Sequence, residues 1–102
     1  MTTSSDLRGR VLLSVQRALL GHIGIAVRAI TCRWTQDEIV VRAIFEGDAS
    51  EDDIEAISVA ETEVMADFPS RVAVCFKIER CDYPAAIPER EGELAVFRRL
   101  ER

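Results

Sequence analysis

A block of carboxylates is the part of this 102-residue sequence with the clearest potential chemistry. It runs from Glu46 to Asp67 and contains nine acidic residues but neither Lys nor Arg. Its members are Glu46, Asp48, Glu51, Asp52, Asp53, Glu55, Glu61, Glu63 and Asp67. Solvated helix surfaces usually carry basic residues one turn from their acids, so a block without them indicates a surface that meets a cationic partner. The alternative interpretation is a solvated helix surface with no partner.

The charge of the whole chain restricts the kind of partner. With 13 basic and 18 acidic residues the formal net charge is −5, yet outside the acidic block the basic residues are in excess. The dominant patch is negative, which disfavours binding to nucleic acid because phosphates require a basic face. No apolar run approaches the ~20 residues of a membrane span, and the first six residues lack the features of a signal peptide. We therefore expect a cytoplasmic protein that binds neither nucleic acid nor membranes.

The sequence contains no recognisable metal-binding or catalytic motif. Cys32, Cys75 and Cys81 are an odd number without a Cys-x-x-Cys pair, and the chain has one histidine, His22. Structural zinc needs four ligands at characteristic spacings, so reduced thiols packed as small hydrophobic side chains are the better interpretation. His22 follows Gly21 at a predicted helix end, where its charge would favour the helix dipole. We expect no metal, no cofactor and no catalytic residue.

Glu61 is the one carboxylate of the block that is predicted to face inward. On a helix it projects near the centre of an apolar stripe, between Ile57, Val64 and Phe68. An ionised carboxylate there costs several kcal/mol unless it is paired. A lone carboxylate has no partner for acid–base catalysis, so we predict a structural, buried Glu61 held by an Arg from the sheet or by backbone donors.

The hydrophobic periodicity predicts an α+β fold. The expected order is helix, strand, strand, helix, strand, strand, with both helices on one face of a four-stranded antiparallel sheet, in a single domain spanning residues 1–102. The predicted helices cover about residues 6–20 and 51–68, and the predicted strands cover 25–35, 38–45, 71–80 and 93–100. Ser50 is the expected N-cap of the second helix, with Asp53 completing a capping box.

The predicted elements also have expected inward and outward faces. In the second helix Ile54, Ile57, Val64, Met65 and Phe68 are expected to point inward and Glu55, Glu63 and Asp67 outward. In the strand 71–80, Val72, Val74, Phe76 and Ile78 are expected to point inward. The other face of the strand 38–45, formed by Val40, Arg42 and Ile44, is only partly polar. That pattern predicts that something covers the far face of the sheet, and a partner is one candidate.

Two stretches of the sequence resemble a known family. The run from Phe45 to Pro69, with its strand, glycine and acidic helix, is followed by Arg80–Arg99, which contains Asp82-Tyr83-Pro84. Together they are similar to the immunity proteins of bacterial polymorphic and contact-dependent growth inhibition toxin systems, over roughly residues 18–100. The resemblance implies a non-enzymatic protein that binds and blocks a cognate toxin, so no catalytic residue carries over.

The sequence therefore predicts a toxin-binding surface on the acidic block. A toxin that attacks nucleic acid has a basic cleft, so a basic toxin, for example a nuclease, would complement this surface. The predicted contact residues are Asp48, Glu51, Asp52, Glu55, Glu63 and Asp67, with Trp34 or Tyr83 as an aromatic anchor. Two other classes of function remain open: a homodimeric regulatory or ligand-binding domain that associates through its sheet, and an enzyme subunit that needs residues from a partner.

Overall fold

The computed structural model describes residues 4–101 and has the predicted order of elements. These are α1 (Ser4–Leu19), β1 (Val27–Trp34), β2 (Glu38–Phe45), α2 (Glu51–Ala66), β3 (Ala73–Arg80) and β4 (Leu94–Arg98). Gly47 has a φ of 72°, a left-handed conformation that favours glycine, and it turns the chain from β2 towards α2. Within the described residues, no helix is long and apolar enough to cross a membrane.

The sheet is mixed, so the prediction of an antiparallel sheet was wrong. The strand order is β3-β2-β1-β4. β1 is antiparallel to both of its neighbours, whereas β2 and β3 are parallel, with Glu38 opposite Ala73 and Phe45 opposite Arg80. Parallel neighbours need a crossover connection, and α2 supplies it because it lies between these two strands in the sequence. β3 and β4 follow one another in the sequence but form the two opposite edges of the sheet.

Both helices pack on one face of the sheet, as predicted. The core joins residues of α1 and α2 to the inward side chains of the two central strands. Its fully buried members include Val11 and Val15 from α1, Val64 from α2, and Ile30 and Phe45 from β1 and β2. This arrangement is a two-layer α+β fold with one helical layer.

The buried face of α2 differs from the predicted one. Ile57, Ala60 and Val64 are buried, whereas Ile54 and Met65 are 49% and 52% exposed. The prediction followed the large apolar side chains and gave no weight to alanine. Ala60 is fully buried, and its small side chain lets the helix backbone lie close to the core. The helix is therefore turned about its axis, with its buried face nearer to α1.

The chain itself covers the far face of the sheet. Residues 81–93 connect the two edge strands, and they cross this face on the way. Nη1 of Arg28, in β1, donates to the carbonyl oxygens of Cys81 at 2.6 Å and Ala85 at 3.0 Å. Val40 and Ile44, whose side chains prompted the expectation of a covered face, are 3% and 1% exposed. No partner is required to explain their apolar character.

Candidate functional site

The capping box predicted at the start of α2 is present. Ser50 Oγ accepts a hydrogen bond from the Asp53 backbone N–H at 3.0 Å, and Asp53 Oδ2 accepts from the Ser50 N–H at 3.3 Å. Glu51 and Asp52 lie in the same first turn, where the helix dipole favours negative charge. Part of the acidic block is therefore explained by the need to begin a helix at this position.

Four acids of α2 are exposed and lie outside the ion pairs formed among residues 4–101. Glu51, Asp52, Glu55 and Glu63 are exposed on this helix, which carries six carboxylates and no Lys or Arg between residues 51 and 66. Among residues 4–101, none of the four lies within ion-pair distance of a basic side chain. We refer to these four residues as the acidic face. Their repulsion has no internal counter-charge, so a cationic partner would relieve it.

The inference that the whole block lacks a compensating cation was wrong at three positions. Three of its acids pair with arginines that are distant in the sequence. The pairs are Glu46 with Arg99 at 2.7 Å, Asp48 with Arg80 at 3.0 Å and Asp67 with Arg17 at 3.6 Å. Asp67 also accepts a hydrogen bond from the Ser14 hydroxyl at 2.6 Å. Asp48 is 90% exposed, so its pair with Arg80 contributes little to stability. Asp48 and Asp67, two of the predicted contact residues, are thus partly neutralised.

The structure separates the two predicted aromatic anchors. Trp34 lies at the end of β1, opposite Ile39, and is partly buried against the core. Tyr83 is 41% exposed and follows β3 at the other end of the sheet, where α2 begins. Its ring lies 5.8 Å from the Arg28 guanidinium carbon, which is a cation–π contact. The two side chains therefore lie at opposite ends of the sheet, and only Tyr83 is at the end where the acidic face begins.

Glu61 is half-buried, and a backbone amide pairs with it. Its Oε2 accepts a hydrogen bond from the Phe76 N–H of β3 at 2.8 Å. The donor is a backbone group, one of the two kinds of partner predicted for Glu61, and among residues 4–101 no Arg pairs with this carboxylate. Glu61 thus links the flank of α2 to the edge of the sheet.

The other residues with potential chemistry have structural surroundings. His22 Nδ1 lies 3.2 Å from the Ala56 carbonyl oxygen and, when protonated, donates to it, which links the end of α1 to α2. Burial raises the pKa of the Cys32 thiol to about 12, and Glu93 adds to that rise. Cys75 and Cys81 are half-buried free thiols. Within residues 4–101 there is no cluster of His, Cys, Asp and Glu side chains that could hold a metal ion.

An exposed apolar flank, not predicted from the sequence, lies beside the acidic face. Ile54 and Met65, which it placed in the core, lie on the same flank of α2 as Glu61. Ile78 of β3, also predicted to point inward, is 39% exposed. The signal that could have revealed this flank is Ala56 and Ala60, which with Ile57 and Val64 complete an inward stripe at helical spacing.

The comparison with known families decides the class of the protein. A family model described as MafI2 immunity protein matches residues 8–101. The chain belongs to this family. The resemblance to toxin-immunity proteins inferred from the sequence is confirmed, and membership of the MafI2 immunity family implies neutralisation of a cognate toxin. Immunity proteins are generally not enzymes. The search of curated proteins finds no match.

A MafI2 immunity protein needs a surface for its toxin, and two adjoining features of the described residues suit that role. One is the acidic face, whose charges have no internal partner. The other is the apolar flank formed by Ile54, Met65 and Ile78.

Proposed function

We propose that this protein binds its cognate toxin through the acidic face of α2 and thereby covers the active surface of the toxin. The observation that carries the proposal is that Glu51, Asp52, Glu55 and Glu63 are exposed while no basic side chain among residues 4–101 pairs with them. Asp48 and Asp67 lie at the margins of this surface and contribute less, because Arg80 and Arg17 already partly neutralise them.

The proposed partner is a basic toxin domain, and a toxin that acts on nucleic acid fits this description. Such a domain must hold phosphates in a cationic cleft, and an acidic helix complements that cleft. Complementary charge speeds association, and rapid capture matters for a cell that makes a toxin. Binding alone is sufficient for this function, so the protein needs no chemistry of its own.

The far face of the sheet is the less suitable surface for a basic toxin. It is covered by residues 81–93, and the charged groups beneath that connection pair with one another. Arg42, for example, forms ion pairs with Glu79 and with Glu93, the latter at 3.0 Å. Because an arginine already neutralises these acids, they offer a basic partner less than the acidic face does.

The experiment is a measurement of binding kinetics between the purified protein and the toxin domain encoded next to its gene. We expect that the double variant Glu55→Lys, Glu63→Lys lowers the association rate at low salt by about tenfold, with a smaller effect on dissociation. The difference from the parent should shrink as salt is raised, because the screening length falls from about 10 Å at 0.1 M to about 3 Å at 1 M.

The matched control is Glu89→Lys, Glu91→Lys. Both residues are exposed in the 81–93 connection, and the variant changes the net charge by the same amount. If both double variants slow association equally, the overall charge matters rather than the acidic face. If neither variant slows it and circular dichroism shows intact folds, the toxin binds elsewhere.

A further inference from the structure

β3 is an edge strand whose outer side is open. It is the last strand of the sheet on its side, and within the part of the chain that the structure describes β2 is its sole strand neighbour. The Ala73 N–H donates to the Asp37 carbonyl and the Cys81 N–H to the Phe45 carbonyl, so the odd-numbered amides of this segment face β2. Because backbone direction alternates along a strand, the amides of Val74, Phe76, Ile78 and Arg80 face the open edge.

One of these four outward amides is occupied, and those of Val74, Ile78 and Arg80 have no acceptor among residues 4–101. Glu61 accepts from the Phe76 N–H at 2.8 Å, which agrees with the outward direction of the even-numbered amides. Among residues 4–101, no acceptor binds the backbone N–H of Ile78 or Arg80. Natural proteins usually block such edges, because an open row of backbone groups pairs with another extended chain. In β3 Glu61 blocks the edge at Phe76. Among residues 4–101, two successive outward amides, those of Ile78 and Arg80, are open on its carboxyl side, and one, that of Val74, is open on its amino side.

The available amides lie beside the apolar flank and the start of the acidic face. β2, α2 and β3 form a crossover, so the start of α2 is at the end of the sheet where β3 finishes. From Glu61, Ile54 is about 10 Å closer to that end along the helix. From Phe76, Ile78 is about 7 Å closer to the same end along the strand. Ile54 and Ile78, both partly exposed, therefore flank the open amides, and Glu51 continues the same flank.

We propose that an extended segment of the toxin, rich in Lys or Arg, adds to the open edge of β3 as a fifth strand. Its backbone pairs with the outward groups of Ile78 and Arg80, an apolar side chain of the segment packs between Ile54 and Ile78, and its basic side chains meet the acids at the start of α2. This proposal rests on the function proposed above and specifies how the toxin is held.

Charge complementarity favours this occupant over a second copy of the chain. Two copies joined antiparallel through their β3 edges would place their helical layers on the same side of one continuous sheet. The two α2 helices would then be neighbours, each with six carboxylates between residues 51 and 66 and no basic residue. A segment carrying Lys or Arg would instead supply the missing counter-charge.

The test compares Ile78→Pro with Ile78→Ala in binding to the toxin domain encoded next to the gene. Both variants remove the branched side chain of Ile78, and proline keeps more apolar carbon than alanine does, but only proline removes the outward N–H. The hydrogen bonds to β2 are retained, because the amide of residue 78 faces away from that strand, and edge strands accommodate proline at such positions. We expect Ile78→Pro to weaken affinity about tenfold more than Ile78→Ala does. Equal affinities of the two variants would overturn strand addition.

Amide hydrogen exchange of the unsubstituted protein, followed by NMR, gives a test that needs no variant. We expect the amides of Ile78 and Arg80 to exchange rapidly in the free protein and slowly in the complex, while Lys77, which faces β2, is protected in both. One outcome separates the two proposals. If binding depends on salt and on Glu55 and Glu63 but the amides of Ile78 and Arg80 stay unprotected, strand addition is overturned and the proposed function is intact.

Two further outcomes also decide between the proposals. If the toxin does not bind at all, both proposals are wrong. If Ile78 and Arg80 are already protected in the free protein and the protein sediments as a dimer, the edge is occupied by a second copy, and toxin strand addition is wrong.

Discussion

Two charged regions of the molecule differ in whether their acids are paired with basic side chains. On the far face of the sheet the two most buried arginines are matched with carboxylates, in the pairs of Arg28 with Glu101 at 2.7 Å and of Arg42 with Glu93 at 3.0 Å. On the acidic face of α2, none of the four exposed carboxylates has a basic partner among residues 4–101. The far-face charges hold the 81–93 connection and the end of the chain in place. The four acids of the acidic face hold no other segment of residues 4–101 in place.

The two groups of charges also differ in how much they contribute to the stability of the folded protein. Removing one partner of a buried, hydrogen-bonded ion pair is strongly destabilising, because the other charge is left without compensation. Exposed acids contribute little to stability. A charge that folding does not require is available for a partner, and the predictions below test this contrast.

The largest effect is expected at Arg28. Its side chain is 3% exposed, and it donates to Glu101, Cys81 and Ala85. Arg28→Ala should lower the free energy of unfolding by about 3 kcal/mol, because it leaves two carbonyls unpaired and leaves Glu101 with Arg99 as its remaining partner, at 3.0 Å. The control is Arg33→Ala, also in β1, whose side chain is 37% exposed and 3.4 Å from Glu38. That variant should stay within about 0.5 kcal/mol of the parent. Equal denaturant midpoints for the two variants would contradict the structural role of the far-face pairs.

A smaller effect should accompany acidification. The hydrogen bond from Arg28 lowers the pKa of Glu101 from 4.5 to about 2, and the hydrogen bond from Arg80 lowers the pKa of Asp82 from 3.8 to about 2, with help from the Gly47 N–H. Folding lowers both pKa values, so both ionised carboxylates stabilise the folded protein when the pH is above their pKa values in the unfolded state. This contribution is lost as the pH falls towards 2. Urea melts between pH 5 and pH 2 should show this loss, with a shallower slope in Glu101→Gln. An unchanged slope in that variant would show that Glu101 is not responsible.

The smallest stability effect is expected at Glu61. Glu61→Ala removes the acceptor of the Phe76 N–H, so it should cost about 1 kcal/mol, whereas Glu63→Ala on the exposed surface should stay within about 0.5 kcal/mol. Denaturant melts of both variants measure the difference. If Glu63→Ala proved the more destabilising of the two, the orientation of α2 would be wrong.

Local signals in the sequence were sufficient for the elements and their order. Ser50 and Asp53 predicted the start of α2, and the capping box is present. The position of β3 was harder to predict. Its clean alternation is compatible with either strand direction, and its parallel pairing with β2 depends on how α2 crosses the sheet rather than on the residues of the strand itself.

The candidate site could be predicted in composition but not in detail. The acids of α2 were recognised, yet the arginines that neutralise three members of the block lie up to 53 residues away, as Arg99 does from Glu46. Pairs at such separations depend on the tertiary fold. The exposure of Ile54 and Met65 follows from the burial of Ala60, which the pattern of large apolar residues conceals.

The most direct test of the central claim is carboxylate footprinting of the free protein and of its complex with the toxin domain. A carbodiimide couples an amine to accessible acids, and mass spectrometry reports the labelling of each residue. We predict that Glu51, Asp52, Glu55 and Glu63 react in the free protein and are protected in the complex, while the exposed Glu89 and Glu91 react equally in both. Unchanged labelling of the four acids of α2 in a complex that has formed would contradict the claim that these unpaired charges meet the toxin.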